Sequence, residues 1–582
     1  MKNAARQDQA LILGNDTFSF LAVVRSLGRK GVCVHVAGVD ANSPALSSRY
    51  VRKVHPLPNF DEDRDRWCEA VRGVLEVNRF NIIIPCNDPN VLRFVYYTSK
   101  HGTVHGLELP SAPILEVTSS KQRSHELALS LGIPVVRSHL ISSPDELAAV
   151  VGALRPPVVL KPLSSFSVQD TLNRQEVRKA FSSAEALSIG SALLEQGAIQ
   201  VQENFVGCGT GVEFLASNGR ILCAFQHIRL HEPPHGGGSS YRKGIPVDER
   251  LLKSTEALVA ALQYDGVGMV EYKWNLETND YVFIEINARF WGSLALAVAS
   301  GADFPWFLYR YRVHGETTFP SSFKTGLCCR HWTLDVEWFK TNARYSRKDP
   351  LLATKPWPAV LAELGNCLLG RERIDTLTLD DPRPFLREIA QSLAALCATV
   401  GRRARRRLHG TGLYRGIRLR RLACLLKRAG TVEFVCYGNI CRSPFAAEFL
   451  QQQLRAHRGS LRVGSSGFHM AESRHSPDVA VTEAKEFGID LSVHRSRRIT
   501  SAIVDKADVV FVFDWQNFEW FSRKFPQACD KLFLTGEMDP RGGALTIQDP
   551  YGHGAEVFRA TYSRISQLIE QQLLRRITPV RR

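Results

Sequence analysis

The sequence has no CxxC pair, although it carries 13 cysteines. Their odd number and scattered placement argue against a disulfide framework or a zinc site and for a reducing, cytoplasmic setting. No apolar run approaches the about eighteen residues that a membrane-spanning helix needs. Residues 1 to 14, MKNAARQDQALILG, have no sizeable apolar stretch, so no signal peptide is read there. No GxGxxG follows a strand, which removes the usual reason to expect a dinucleotide. No internal repeat is visible. A further absence is local: residues 401 to 430 contain eleven Lys or Arg and not one acid, and so hold most of the chain's net charge of +16.

What is present is otherwise ordinary. A content of 44% hydrophobic and 23% charged residues is that of soluble globular protein, and 582 residues are too many for one core. Residues 10 to 110 alternate in a strand–helix rhythm (ALILG, FSFLAVVRSLGRKG, VCVHVAG, NIIIPCND), which predicts a parallel α/β domain over 1–115. A second texture, with several alternating strands, runs over 116–320. Residues 321–400 read as mostly helical, with Phe385, Leu386, Ile389, Leu393 and Leu396 on one face. The basic segment 401–430 is the natural boundary, and another α/β domain follows over 431–582.

Two readings of the basic segment stay open. One is a solvated, poorly ordered linker. The other is an amphipathic helix, with Leu419, Leu422, Ala423 and Leu426 at helical spacing and Arg418, Arg420, Arg421, Lys427 and Arg428 supplying charge. Such a helix can lie on an anionic membrane face. Nucleic acid is disfavoured, because Tyr414 is the lone aromatic available for base stacking.

The stretch VEFVCYGNICRSPFAAEFL, residues 432 to 450, joins an apolar strand to a helix. Backbone N–H groups of such a loop converge on one anion, and the helix N-terminus adds partial positive charge. Arg442 offers paired donors that match phosphate oxygens. The same field favours a thiolate at Cys436, which against a bound phosphate is a nucleophile for phosphoryl transfer. Ser443 can support that thiolate. Gly438 lets the backbone turn tightly, and Asn439 tolerates a left-handed conformation. The leaving oxygen needs a proton, and Asp549 in TIQDPYGHG is the candidate acid, with Tyr551 beside it to stack on an aromatic ring.

With SSG at 465–467, GIDLSVHRSRRIT at 488–500, DVVFVFD at 508–514 and QDPYG at 548–552, this stretch resembles the low-molecular-weight protein tyrosine phosphatases. The resemblance implies that Cys436 is the nucleophile, Arg442 the phosphate ligand and Asp549 the general acid. It implies that Asn439, Ser443, Ser465 and His494 form a network holding the loop. Cys441 would be the neighbour able to protect the nucleophile as a disulfide. Ile440 matches the position where arginine phosphatases carry threonine, and so points to phosphotyrosine. Tyr437 would form the pocket wall and His469 part of the rim.

A second constellation is Glu271, Glu285, Asn287 and Arg289. Glu285 and Asn287 share one face of a strand. If MVEYKW and VFIEIN pair antiparallel, Glu271 joins them in an oxygen site suited to Mg²⁺ and a triphosphate, and Arg289 can clamp a phosphate oxygen. Lys161 ends a buried strand, VVLKP, where an isolated charge is costly without an anionic partner. Together with SLGIP, VQENFVG and the GGGSS loop, these segments resemble the ATP-grasp superfamily, in its carbamoyl-phosphate-synthase-like and carboligase-like branches. The resemblance implies that Lys121 and Lys161 hold nucleotide phosphates, that Gln202, Glu203 and Phe205 face adenine, and that Glu271, Glu285 and Asn287 bind Mg²⁺. Arg229, Ser239, Ser240, Tyr241 and Arg242 are candidates for the substrate loop.

The expectation is therefore a multidomain α/β protein: a pre-ATP-grasp parallel domain, an α+β ATP-grasp fold, and a separate parallel-sheet phosphatase domain. Its functions would be a tyrosine phosphatase needing no cofactor and an ATP- and Mg²⁺-dependent ligase joining a carboxylate to an amine or other nucleophile. Partners would be a phosphotyrosine protein, with bacterial tyrosine kinases of exopolysaccharide export implied by the resemblance, and an anionic inner-membrane surface. Two alternatives stay open: a non-catalytic ATP sensor gating the phosphatase, and a small-molecule pathway using both halves.

Overall fold

The protein is described here by a computed structural model covering residues 7–38, 40–164, 166, 171, 177–232, 238–345, 354–456, 461–539 and 543–577. Parts of the expected KPLSSFSVQD and HEPPHGGGSS segments lie outside the described residues. The chain divides into two compact units, Met1–Leu393 and Ala394–Arg582.

In the first unit, β1 (Gln9–Leu13), β2 (Cys33–Ala37), β3 (Val51–His55) and β4 (Ile82–Pro85) form a parallel sheet in the order β3-β2-β1-β4. Alternate residues of β1 feed two cores, Ala10 and Ile12 on one face and Leu11 and Leu13 on the other. A strand buried on both faces reads as a continuous apolar run, which is why ALILG shows no alternation. An antiparallel sheet follows, with β5 (Ser138–Ile141), β6 (Val158–Pro162), β7 (Arg178–Ala180) and β8 (Ile199–Glu203) in the order β5-β8-β6-β7.

The largest sheet has seven strands: β9 (Cys208–Ser217), β10 (Arg220–His231), β11 (Tyr241–Ile245), β12 (Gly266–Trp274), β13 (Tyr281–Asn287), β14 (Cys328–Arg330) and β15 (Glu372–Ile374). Their order is β13-β12-β9-β10-β11-β14-β15. The expected antiparallel pairing of MVEYKW with VFIEIN is present, and Glu271 stands opposite Glu285.

The region expected to be mostly helical, 321–400, does more than add helices. β14 pairs with β11 and so covers an edge that would otherwise expose unpaired backbone groups. Three-residue strands carry too little periodicity to be read from sequence. Ion pairs of Arg25 with Asp381 at 2.9 Å and of Arg242 with Asp375 fasten the region, as does a hydrogen bond between His231 and Asp335 at 2.7 Å, and Arg330 with Glu372 at 2.7 Å ties it internally.

The second unit is built on a parallel sheet, β16 (Thr431–Cys436), β17 (Arg462–Gly467), β18 (Val509–Val512) and β19 (Leu532–Leu534), ordered β17-β16-β18-β19. The helices Arg442–Ala456 and Ala555–Leu568 cover one face, where Phe445 stacks on Tyr562 with ring centroids 3.9 Å apart. Residues 401–430 are not a poorly ordered linker. Residues 401–426 lie in the helices Arg383–Gly410 and Gly412–Leu426, joined at Thr411, and Leu422 and Leu426 join the core of the second unit. Arg418 is buried against Glu537. The apolar face assigned to a membrane is thus consumed by packing within the fold.

That packing is testable. Leu422→Ala should destabilise the second unit by about 2–5 kcal/mol, as for other buried leucines. Leu413→Ala, at a residue 82% exposed, should stay within about 0.5 kcal/mol. Chemical denaturation of the purified chain measures both, and equal effects would contradict the assigned faces.

Candidate active site

β16 delivers Cys436 to the C-terminal edge of the parallel sheet, and the helix Arg442–Ala456 begins six residues later. The Cys436 Sγ lies 3.1 Å from Ser443 Oγ and accepts the backbone N–H of Asn439 at 3.2 Å. The Asn439 N–H and the Ser443 hydroxyl thus both face the sulfur, at the N-terminus of the helix. Asn439 has φ of +51°, the left-handed conformation expected of it. Gly438 does not share that conformation. Its constraint is space: a Cβ there would sit 3.1 Å from Ile440 Cγ1 and 3.2 Å from an Arg474 nitrogen.

The Asn439 side chain organises the loop. Its Nδ2 donates to Ser443 Oγ at 2.9 Å and to Ser465 Oγ at 3.0 Å, and its Oδ1 accepts from the Arg497 N–H at 2.8 Å. Its carbonyl accepts from His494 Nε2 at 2.7 Å. Burial holds the His494 pKa below its ordinary value, which keeps the imidazole neutral. Gly467 lies beneath the loop, where a Cβ would meet the Tyr437 carbonyl oxygen at 2.7 Å and the Asn439 nitrogen at 2.8 Å.

Arg442 is 1% exposed. Its guanidinium donates to Asp514 Oδ2 at 2.7 Å, to the Ile547 carbonyl at 3.0 Å and to Asp549 Oδ2 at 2.5 Å. Although burial opposes it, the neighbouring Cys436, Asp549 and Asp514 raise the Arg442 pKa, so its charge is secure. Asp549 Oδ1 accepts the Tyr551 N–H at 3.3 Å, and Tyr551 is largely exposed at the rim. The Tyr437 ring stands against Trp520 and His469, with centroids 5.2 and 5.5 Å away. Burial, reinforced by Cys436 and Asp549, pushes the Cys441 thiol well above its ordinary pKa.

Two participants escaped the sequence reading. Asp514 caps the helix Trp515–Lys524 through Asn517 N while it also holds Arg442. Its position at the end of DVVFVFD was a usable signal. Arg474 donates to the Gly438 carbonyl at 2.6 Å, and its own position is fixed by backbone bonds between 473–474 and Ser496. No local pattern announces that contact.

In the first unit, Lys121, Lys161, Glu271, Glu285 and Asn287 are brought together. Lys121 Nζ donates to the Pro162 carbonyl at 3.3 Å, next to Lys161. Burial first, then Lys121, lowers the Lys161 pKa to about 8, against the pull of Glu285 and Glu271. Asn287 Nδ2 lies 3.3 Å from Glu285 Oε1. Glu271 is held by both Arg229 nitrogens, at 2.8 and 2.7 Å. Arg289 makes a matching pair with Asp88, at 2.8 Å for each bond, rather than standing free for phosphate. Gln202 is buried in β8, Glu203 is exposed at its end and Phe205 is half-buried just beyond. Tyr241 and Arg242 are core residues of β11 rather than loop residues; the Arg330 guanidinium stacks 3.8 Å over the Tyr241 ring. Ser240 donates to Asp335. Among the described residues no three His, Cys, Asp or Glu side chains cluster as a metal site.

A parallel sheet with a cysteine at its edge, a loop closed by an asparagine and a buried arginine at the following helix defines a cysteine-dependent phosphatase unit. Residues 431–580 match the family described as low molecular weight phosphotyrosine protein phosphatase, and through that unit the chain belongs to it. It is 30% identical over 140 residues, 24% of this chain and 91% of the relative, to the probable low molecular weight protein-tyrosine-phosphatase EpsP of Ralstonia nicotianae. It is 33% identical over 138 residues, 24% of this chain and 90% of the relative, to the protein-arginine-phosphatase of Geobacillus stearothermophilus. The biotin carboxylase of Campylobacter jejuni is similar over 56% of this chain and 75% of its own, with 17% identity and a TM-score of 0.44.

Replacing Asn439 tests the loop. Asn439→Ala loses the side-chain bonds and strains the left-handed backbone, a cost of about 1–3 kcal/mol. If that cost falls on the loop geometry, hydrolysis of an aryl phosphate should drop about 10–100-fold, as 1.4 kcal/mol is tenfold in rate. Asn439→Gly, which keeps the backbone conformation, should lose less. Equal losses would assign the whole effect to the side chain.

Proposed function

We propose that the C-terminal unit hydrolyses phosphotyrosine in protein and that the N-terminal unit is an ATP- and Mg²⁺-dependent carboxylate ligase. The observation that carries the first half is the convergence of Cys436, Arg442 and Asp549 at one sheet edge. The Cys436 thiolate attacks phosphorus, the bond from phosphorus to the phenolic oxygen breaks, and Asp549 gives that oxygen a proton. A water then attacks the phosphocysteine, Asp549 takes its proton, and the thiolate leaves. Arg442 shifts from Asp549 to the phosphate oxygens as substrate enters. Ile440, with Tyr437 and Tyr551 at the mouth, supports an aryl rather than a guanidino phosphate. A tyrosine kinase of exopolysaccharide export is the partner class we assign.

For the ligase half, Lys121 and Lys161 would hold the nucleotide phosphates beside Gln202, Glu203 and Phe205. Two facing carboxylates and an adjacent amide oxygen fit a hard divalent cation, so Glu271, Glu285 and Asn287 are the residues that would hold Mg²⁺. The ion would supply charge neutralisation of the triphosphate. Arg229 must then release Glu271. The acceptor carboxylate attacks the γ-phosphorus, ADP leaves, and an amine displaces phosphate from the acyl carbon. A second reading, a non-catalytic ATP sensor, is favoured by the internal partners of Glu271 and Arg289.

Cys436→Ser should abolish turnover of phosphotyrosine peptide and leave ATP binding intact; loss of both would show that the units are not independent. Activity on phosphoarginine peptide but not on phosphotyrosine would overturn the substrate assignment. ADP release from Mg-ATP that depends on a small-molecule extract and is lost in Lys161→Ala supports the ligase, whereas binding without such release supports the sensor.

Lys161 also sets a pH dependence. Its proton is lost near pH 8, so affinity for a non-hydrolysable ATP analogue should fall as pH rises from about 7 to about 9, because a site cation disappears. Lys161→Arg should flatten that dependence, as measured by calorimetric titration. An unchanged slope would remove Lys161 from the phosphate site.

A further inference from the structure

Within the second unit, the part of the helix Arg383–Gly410 that follows residue 393 carries an apolar stripe left over from folding. Leu396, Val400 and Leu408 are 58%, 55% and 48% exposed. At about 100° per residue they fall within roughly a third of the helix circumference. Another side of the same helix is engaged: His409 is buried against Glu537, and Arg402 and Arg406 reach Glu519. The helix Gly412–Leu426 repeats the division. Its Leu422 and Leu426 enter the core, while Leu413 and Ile417 are 82% and 54% exposed.

Charge accompanies the stripe. From 394 to 428 the sequence holds no acid. Arg403, Arg405 and Arg407 are exposed on the same turns as Val400 and Leu408. We infer that this face rests on an anionic lipid surface, with the leucines at the boundary of headgroups and acyl chains and the arginines on lipid phosphates. It is a different face from the one formed by Leu419, Leu422, Ala423 and Leu426.

Charge complementarity selects this occupant. A second copy of the chain, in either direction, would set arginine against arginine, since neither copy offers an exposed acid on this helix. A nucleic acid would meet phosphate partners but gain nothing from a row of leucines, and the one aromatic in the sequence from 394 to 428, Tyr414, is engaged with His409. An amphipathic basic surface that lies in the interface plane uses both properties together. No helix among the described residues is long and apolar enough to cross a membrane, so the contact is peripheral.

The test is co-sedimentation of the full chain with vesicles of phosphatidylcholine alone or mixed with phosphatidylglycerol, at low and high salt. Binding is expected on the anionic vesicles, weakened by salt. Removing the three charges in Arg403→Ala/Arg405→Ala/Arg407→Ala should lower partitioning about a hundredfold. Leu396→Glu/Val400→Glu should lower it about tenfold or more. Both variants should keep full aryl phosphate turnover, which shows that the second unit is folded. Absent binding, equal binding to neutral vesicles, or binding retained by both variants overturns the inference. So does a concentration-dependent dimer that Leu396→Glu/Val400→Glu dissolves, because a second copy would then cover the stripe.

Discussion

Burying a guanidinium is tolerable where a carboxylate or carbonyl meets it, and much of this molecule is arranged around that requirement. In the first unit Arg25 and Arg242 hold the segment that follows residue 320, through Asp381 and Asp375, and Arg330 ties that segment to itself through Glu372. In the second, Arg418 fixes a helix on the sheet through Glu537. Arg442 is a third case, paired with Asp514 and Asp549; in the proposed reaction a phosphate takes over from Asp549, so the buried charge keeps a partner throughout. Structure and chemistry thus draw on the same property, a cation that stays charged whatever its surroundings.

The pairing of Arg442 with Asp549 is a contact between two candidate site residues. A counterpart lies in the first unit, where Arg229 holds Glu271 through two bonds. In the proposed reactions both carboxylates have a second task, and each arginine must let go before that task begins.

Local patterns made the active loop legible. A strand, a glycine, an asparagine and a helix start occur within twelve residues, and each is set by backbone preferences that do not depend on distant partners. The antiparallel pairing of β12 with β13 was legible for a similar reason, since a short connection joins two alternating runs. Contacts across the chain were not: Arg229 with Glu271, Arg289 with Asp88, and Arg474 with the Gly438 carbonyl leave no trace in periodicity. The basic segment shows a third kind of limit. Its amphipathic pattern was enough to indicate a helix, yet the pattern says that an apolar face needs cover, not whether protein or lipid provides it.

Gly467 carries a consequence of its own. Any side chain there would collide with the backbone of residues 437 and 439, next to Cys436. No rotamer change relieves a clash with main chain. Even the smallest replacement moves the loop after Cys436, so drift at this site is closed in a way that it is not at the half-exposed Tyr437. If the loop serves as proposed, selection for new substrates works on its wall while its floor remains fixed.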